Sequence, residues 1–224
     1  MNIAFVPVRG GSKSIPHKNI KSFCGKPLVY WCLNALNKSN NIDKIFVATD
    51  CEIIKQTVQS FKLSKVCIFD RSNENAKDHS STESVLLEFL NKNSFASNDL
   101  IFLIQATSPL TQTSDIDNAF QLLLDRKTDS LLSCVRFKRF LWNELGFPIN
   151  YNLNKRPRRQ DFRGELLENG AIYISSVSNI LRSRNRISGS ISIYEMDDSS
   201  AIEIDEEDDW PMAEYLMKKR LLAS

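Results

Sequence analysis

The chain has 224 residues, 42% hydrophobic and 25% charged, enough for one sizeable core of ordinary solubility. A net charge of +2 gives no bulk field toward nucleic acid or an anionic membrane surface. Five cysteines (Cys24, Cys32, Cys51, Cys67 and Cys134), odd in number and without a CxxC pair, argue against a disulfide framework or a zinc site and for reduced thiols. The first apolar run ends at Val8, before Arg9 and two glycines, which is not a signal-peptide pattern. No stretch approaches the ~20 apolar residues needed to span a bilayer. The expectation is a protein of a reducing, cytoplasmic compartment, with no membrane and no nucleic acid as partner.

In chain order, Ile3 to Val8 reads as a buried strand, and Pro27 to Leu36 as a helix with Pro27 in its first turn. Lys44 to Ala48 is a strand, Ile53 to Phe61 a helix, Val66 to Phe69 a short strand and Thr82 to Leu90 a helix. Leu100 to Ile104 is a very apolar strand, Ile116 to Leu124 a helix and Ser130 to Val135 a strand. Continuously apolar strands spaced by helices predict an α/β fold with a mostly parallel central sheet flanked by helices. Residues 136–170 break this rhythm. They are polar, basic and aromatic, too long for an ordinary connection, and read as an insertion that packs on something such as a second subunit. Regular structure resumes at Ala171 to Ser175, and a last helix starts near Asp209, its N-cap, with Pro211 in the first turn. The whole chain, 1–224, reads as a single domain carrying that insertion.

Three segments carry chemistry, each against a plainer alternative. RGGSKSIPHKN, residues 9–19, follows the first strand, where ligands of α/β sheets bind. Its glycines open backbone N–H groups to phosphate, and Arg9, Lys13 and Lys18 would neutralise charge; the alternative is a solvated basic turn. The spacing is neither that of a P-loop nor of a GxGxxG dinucleotide fingerprint. From Glu195 to Asp209 there are nine acidic residues and no basic one, mostly a solvated face. Within it Ala201-Ile202-Glu203-Ile204-Asp205 alternates, so on a strand Glu203 and Asp205 share a face about 7 Å apart and could ligate magnesium. Lys155-Arg156-Pro157-Arg158-Arg159-Gln160 suits either a nucleic-acid or nuclear-targeting patch or the capture of an anionic substrate. Gln105-Ala106-Thr107-Ser108-Pro109 and Thr49-Asp50 end strands at the same sheet edge. His17 and His79 are isolated, and no arrangement for a covalent intermediate is visible.

Taken together, RGGSKSIPHKN, VATD at 47–50, IQATSP at 104–109, KRPRRQDFRGELLENGAIYI at 155–174 and IEIDEEDDWPMAE at 202–214 resemble the CMP-sialic acid synthetases, or acylneuraminate cytidylyltransferases. The RPRRQD…GEL.ENG block is most like the animal type. The resemblance implies a single nucleotidyltransferase domain, Rossmann-like, with a protruding dimerisation arm at 136–170, acting as a homodimer. It implies the reaction of CTP with a nonulosonic (sialic) acid, with Mg2+, to give a CMP-sugar and pyrophosphate. Arg9, Lys18, Arg156 and Arg159 would be catalytic. Arg9, Gly10, Ser12, Lys18, Asn19, Arg71, Ser80, Thr82 and Gln105 would bind CTP. Gln105, Arg159, Gln160 and Asn169 would meet the sugar, and Glu203 and Asp205 the metal. An animal-type source would add a nuclear address through the basic cluster. A related nucleotidyltransferase for another sugar acid, or a basic nucleic-acid-binding protein, are the rival readings. Two positions depart from the family pattern: Ser14 stands where glycine is usual, putting loop geometry in question, and Glu203 where aspartate is usual.

Overall fold

The computed structural model describes residues 1–12, 14–72, 74–76 and 80–223, so Lys13 and His79 lie outside the described residues. β1 (Asn2–Pro7) leads through a basic loop to a two-stranded hairpin, β2 (Ser22–Phe23) and β3 (Lys26–Pro27). There follow α1 (Leu28–Lys38), β4 (Lys44–Thr49), α2 (Glu52–Ser60), β5 (Val66–Asp70), α3 (Thr82–Lys92), β6 (Leu100–Ile104) and α4 (Thr113–Arg126). The chain ends with β7 (Ser130–Phe137), β8 (Glu165–Ser176), α5 (Val177–Ser183), β9 (Ile191–Met196) and α6 (Asp209–Ala223).

One seven-stranded sheet has the order β5-β4-β1-β6-β8-β7-β9. β8 runs antiparallel to both its neighbours, and the other pairings are parallel. Side chains alternate across the sheet, as a period of two requires. Ala4 and Val6 of β1 join Leu33 and Leu36 of α1 and Ile116 and Ala119 of α4 on one face. Ile3 and Phe5 meet Val85, Leu86 and Phe89 of α3 and Ile180 of α5 on the other. The Phe5 and Phe89 rings lie 4.8 Å apart, both fully buried. Burial of each large side chain of this kind contributes about 1.5–3 kcal/mol. A third cluster matters for the site: Ile15 of the basic loop packs with Ile204, Phe23, Trp210 and Met217, binding the loop to the last helix.

Several boundaries differ from the sequence reading. The insertion is shorter than 136–170, because β7 continues to Phe137 and β8 begins at Glu165. The extra turns of both strands are outer-edge residues with little apolar character; Leu166 and Leu167 are exposed. Opposite them β8 is bulged: Leu132 and Cys134 pair with Tyr173 and Glu168, so five steps of one strand face two of the other. α5 and β9 were not expected from sequence. In β9, Ile191 and Ile193 face outward and are exposed, so the strand's alternation does not mark a core face. Pro27 precedes α1 as its N-cap residue, and Asp209 lies inside α6. The Glu203–Asp205 stretch lies outside the sheet and has no regular structure, following a single 3-10 turn at Asp198–Ala201. Its alternation survives without a ladder: Ile204 is buried, Glu203 half-buried and Asp205 exposed. No helix among the described residues is long and apolar enough to cross a membrane.

Candidate active site

A polar cavity of about 320 Å3 opens at the carboxyl ends of β1, β5 and β6. Its walls include Arg9, Ser12, Lys18, Asn19, Arg71, Ser80, Thr82 and Gln105, drawn from four separate stretches of sequence. Pro7, Ser81, Val85, Ala106 and Thr107 complete it. Ala106 and Thr107 belong to the Gln105–Pro109 stretch singled out in the sequence and Pro7 to the first strand, whereas Ser81 and Val85 carried no signal of their own as site residues.

The loop after β1 is held from beneath. Val8 N–H continues the sheet ladder to Ala48 O at 2.9 Å, and Gly10 N–H donates to Asp50 Oδ1 at 3.1 Å. A Cβ on Gly10 would lie 2.7 Å from the Cys51 Cβ, so only glycine lets the loop pass the start of α2. Gly10 therefore acts through the backbone and is not itself on the cavity wall. Asn19 is buried; its amide donates to Arg9 O at 3.2 Å, pinning the loop's start, while the residue also faces the cavity. The loop's left-handed residue is His17, at φ 55; Ser14 is not in that region, so serine carries no backbone penalty there.

Arg71 follows β5 and is half-buried. Its guanidinium donates to Asn75 O, while its Nε has no partner among the described residues. Burial pushes its pKa down, Asp50 counteracts this, and the Arg9 guanidinium pushes it down further. Two guanidiniums that repel one another across a polar cavity, one with an orphaned buried N–H, suit an anionic ligand. Opposite them α3 begins: Ser81 Oγ accepts from Ser84 N–H at 3.1 Å as the N-cap, leaving Ser80 and Thr82 on the wall. The helix N-terminus adds a favourable partial charge for an anion.

Lys18 joins this cavity to the acidic segment. Its ammonium donates to Ile204 O at 2.7 Å and lies 3.3 Å from Asp205 Oδ1. Ile204 N–H donates in turn to Thr107 O at 2.9 Å, beyond the end of β6. The N–H groups of Asp205 and Glu206 both donate to Asp209 Oδ2, at 2.9 and 2.8 Å. Glu203 is pushed up to about 7 by burial, then by the nearby charges of Asp205 and Glu168, against the opposing pull of Lys18. Glu203 rests on Gly170, whose φ of +65 leaves no room for a side chain: a Cβ there would be 1.9 Å from Glu203 Oε1. Among the described residues no group of three or more His, Cys, Asp or Glu is arranged to hold a metal. A carboxylate pair nonetheless fits Mg2+, which is commonly held by one or two carboxylates with substrate phosphates and water supplying the rest. Burial, the first cause of the raised Glu203, and the neighbouring charges of Asp205 and Glu168 are what a bound cation would offset.

The remaining expected residues lie elsewhere. Asn169 is buried, with Oδ1 accepting from Ser133 Oγ at 2.6 Å and Nδ2 donating to Ser200 O at 3.0 Å. Its amide is used to fix the β8 bulge and is not on the cavity wall. Arg156, Arg159 and Gln160 sit in the segment between β7 and β8 and do not line the cavity of their own chain. Arg156 stacks 4.5 Å over Phe140 and 5.4 Å over Tyr151. Arg159 and Gln160 are exposed. Trp142, Leu145, Phe147, Ile149 and Leu153 of the same segment are exposed too, an apolar surface that its own chain leaves uncovered.

A mostly parallel α/β sheet whose strand ends gather cations and a helix N-terminus around one polar cavity, with a carboxylate segment tied to it through Lys18, defines a nucleotide-handling protein. The particular family follows from comparison. Residues 3–222 match the family model described as Cytidylyltransferase, and the chain belongs to that family. It is 38% identical over 218 residues to N-acylneuraminate cytidylyltransferase B of Danio rerio, covering 94% of this chain and 50% of that protein. It is 28% identical over 216 residues to N-acylneuraminate cytidylyltransferase of Streptococcus agalactiae, covering 93% and 51%. The chain thus spans about half the length of the curated relatives it matches. Its fold is that of a CMP:2-keto-3-deoxy-manno-octonic acid synthetase solved with CTP, at TM-score 0.70 and 18% identity over 98% of this chain and 100% of that one. A 4-diphosphocytidyl-2C-methyl-D-erythritol synthase from Anaerococcus prevotii shares the fold at TM-score 0.68 and 12% identity, covering 97% and 96%.

Proposed function

We propose that the chain transfers CMP from CTP to the anomeric hydroxyl of a nonulosonic acid of the sialic type, releasing pyrophosphate. The observation that carries this reading is the junction at Lys18. One ammonium belongs to the polar cavity and also holds the segment that bears Glu203 and Asp205. A triphosphate in the cavity would meet cations on one side and the carboxylate pair on the other. The names of the curated relatives support CTP and an acylneuraminate as substrates.

The chemistry brings two anions together. Arg9 and Lys18 neutralise the triphosphate so that a carboxylated sugar can approach, and Arg71, Ser80 and Thr82 take the nucleoside side of the cavity. Gln105 stands between nucleotide and sugar. As the hydroxyl oxygen bonds to the α-phosphorus, the bond to the leaving pyrophosphate breaks, and fixed positive charge stabilises the oxygens that gain density. Glu203 and Asp205 would hold Mg2+, which when bound neutralises phosphate oxygens.

The sugar's carboxylate calls for an arginine fork, and Arg159 of the segment 138–164 supplies one. Since no residue of that segment lines the cavity of its own chain and the segment exposes an apolar surface, we take it as a dimerisation arm that delivers Arg159 and Gln160 to the cavity of a second copy. Arg156, stacked on Phe140 and Tyr151, would stiffen the arm. The test is pyrophosphate release with a panel of nucleoside triphosphates and sugar acids in the presence of Mg2+. CTP with a nonulosonic acid should be turned over, and Asp205→Ala should abolish turnover with an unchanged circular dichroism spectrum. Near-normal activity of that variant refutes the metal assignment; preference for another nucleotide refutes the substrate.

A further inference from the structure

The basic loop and the carboxylate segment come from opposite ends of the chain, yet they are joined at three points. Ile15 and Ile204 are fully buried in one apolar cluster. Lys18 donates to Ile204 O. Between these and the loop's tip, Ser14 Oγ donates to Glu206 Oε1 at 2.9 Å. The bond needs the Ser14 hydroxyl, and a residue without one could not make it. Ser12, two residues earlier, lines the cavity, and Asp205 directly precedes Glu206. Backbone bonds already anchor the segment, through Ile204 N–H to Thr107 O and through Asp205 and Glu206 N–H to Asp209. Among the described residues, the backbone bonds of the loop resume at Lys18, with Ile15 O as acceptor.

We propose that Ser14 is a positioning residue, which through Glu206 registers the tip of the phosphate loop against the carboxylate segment. One triphosphate–cation complex then meets both at a fixed separation. The inference rests on the proposed function, since it requires that the loop face phosphate and the segment face a cation. The two side chains are exposed, so water competes for the bond and its effect is modest. The effect is on the joint ligand: the loop alone can still meet phosphate, but the cation-bridged complex needs both partners in register.

The experiment is calorimetric titration of CTP into wild type, Ser14→Ala, Ser14→Thr, Glu206→Gln and the double variant Ser14→Ala/Glu206→Gln, with Mn2+ and again with EDTA. Both positions are solvent-exposed, and unchanged thermal unfolding certifies the fold of each variant. Ser14→Ala should weaken CTP binding roughly three- to tenfold with Mn2+, the size expected for one exposed charge-assisted bond, and leave binding in EDTA unchanged. Ser14→Thr should restore it. In the Glu206→Gln background the bond persists without its charge, so Ser14→Ala should lose less than it does in wild type. Additive losses, equal losses with and without Mn2+, or no loss at all would each overturn the positioning role. A wild-type protein that binds no CTP in Mn2+ overturns the proposed function and this inference together. Wild-type binding with an indifferent Ser14→Ala overturns the inference alone.

Discussion

Gly170→Ala separates the cost of backbone strain from the cost of a displaced carboxylate. Gly170 sits in the β8 bulge at φ +65. Holding alanine in that left-handed conformation costs about 1–2 kcal/mol. For a chain of this size that corresponds to a fall in Tm of about 2–8 °C. The second effect is local: the new methyl would stand 1.9 Å from Glu203 Oε1 and 2.9 Å from its Cδ. The clash is with the far end of a flexible side chain, so the fold survives and the carboxylate retreats by roughly 1 Å or more to reach van der Waals separation. A displacement of that order in a positioned group can lower turnover by about 10²-fold.

Gly25→Ala is the matched control. Gly25, at the β2–β3 turn, has φ +80 and nothing within 4 Å of an added Cβ. It should show a similar Tm loss and nearly unchanged activity. The measurements are thermal denaturation and CTP-dependent pyrophosphate release at saturating sugar acid, with Mg2+ varied. Gly170→Ala should need much more Mg2+ for half-maximal rate, or fail to reach the wild-type rate at any concentration. If it loses stability like Gly25→Ala but keeps the control's activity and Mg2+ dependence, Glu203 does not act where the structure places it.

Three further outcomes follow from the same contacts. Asn169→Ala should cost about 1–3 kcal/mol in urea unfolding, because Ser133 Oγ and Ser200 O lose their buried partner; a rise in the sugar-acid KM with unchanged stability would instead give Asn169 the role that the resemblance implied. Burial raises the Glu83 carboxyl, but the hydrogen bond from Arg186, a backbone hydrogen bond and the Arg186 charge together outweigh it and the pKa is lowered. That stabilisation is present above the ordinary glutamate pKa and is lost as pH falls through the depressed value. Glu83→Gln should therefore lose about 1–3 kcal/mol near neutral pH and almost nothing well below the folded-state pKa, by urea unfolding at each pH; a pH-independent loss would sink the ion-pair argument. Arg159→Ala should weaken sugar-acid binding more than CTP binding. When it is mixed with inactive Asp205→Ala, protomer exchange should restore about a quarter of wild-type activity, since half the dimers are mixed and each holds one intact site; no recovery after demonstrated exchange would place Arg159 on the cavity of its own chain.

The legible parts of this fold were those in which local pattern and tertiary role coincide. β1, β4 and β6 are buried on both faces, so their apolar runs announced them, and the parallel order followed from the helices between. Arg9, Lys18 and Gln105 were reached through motifs at strand ends, Arg71 only through the family resemblance, and the sheet brings them to one cavity because parallel strands deliver their loops to one edge. The Glu203/Asp205 alternation was legible as a pattern and misread as a strand. Its position is fixed by Thr107 and Lys18 from distant sequence, which no local rule contains. β9 escaped for the converse reason: its apolar residues Ile191 and Ile193 point outward, so hydrophobicity there does not report burial. Asn169 shows the deepest limit. The resemblance made it a sugar contact, yet the residue locks a bulge that only the pairing with β7 creates. That bulge brings Tyr173, five residues away, back to hydrogen-bond Glu168, and sets Gly170 beneath Glu203. The geometry of the acidic site therefore depends on strand register, and register is a property of two segments that the chain separates by the whole arm.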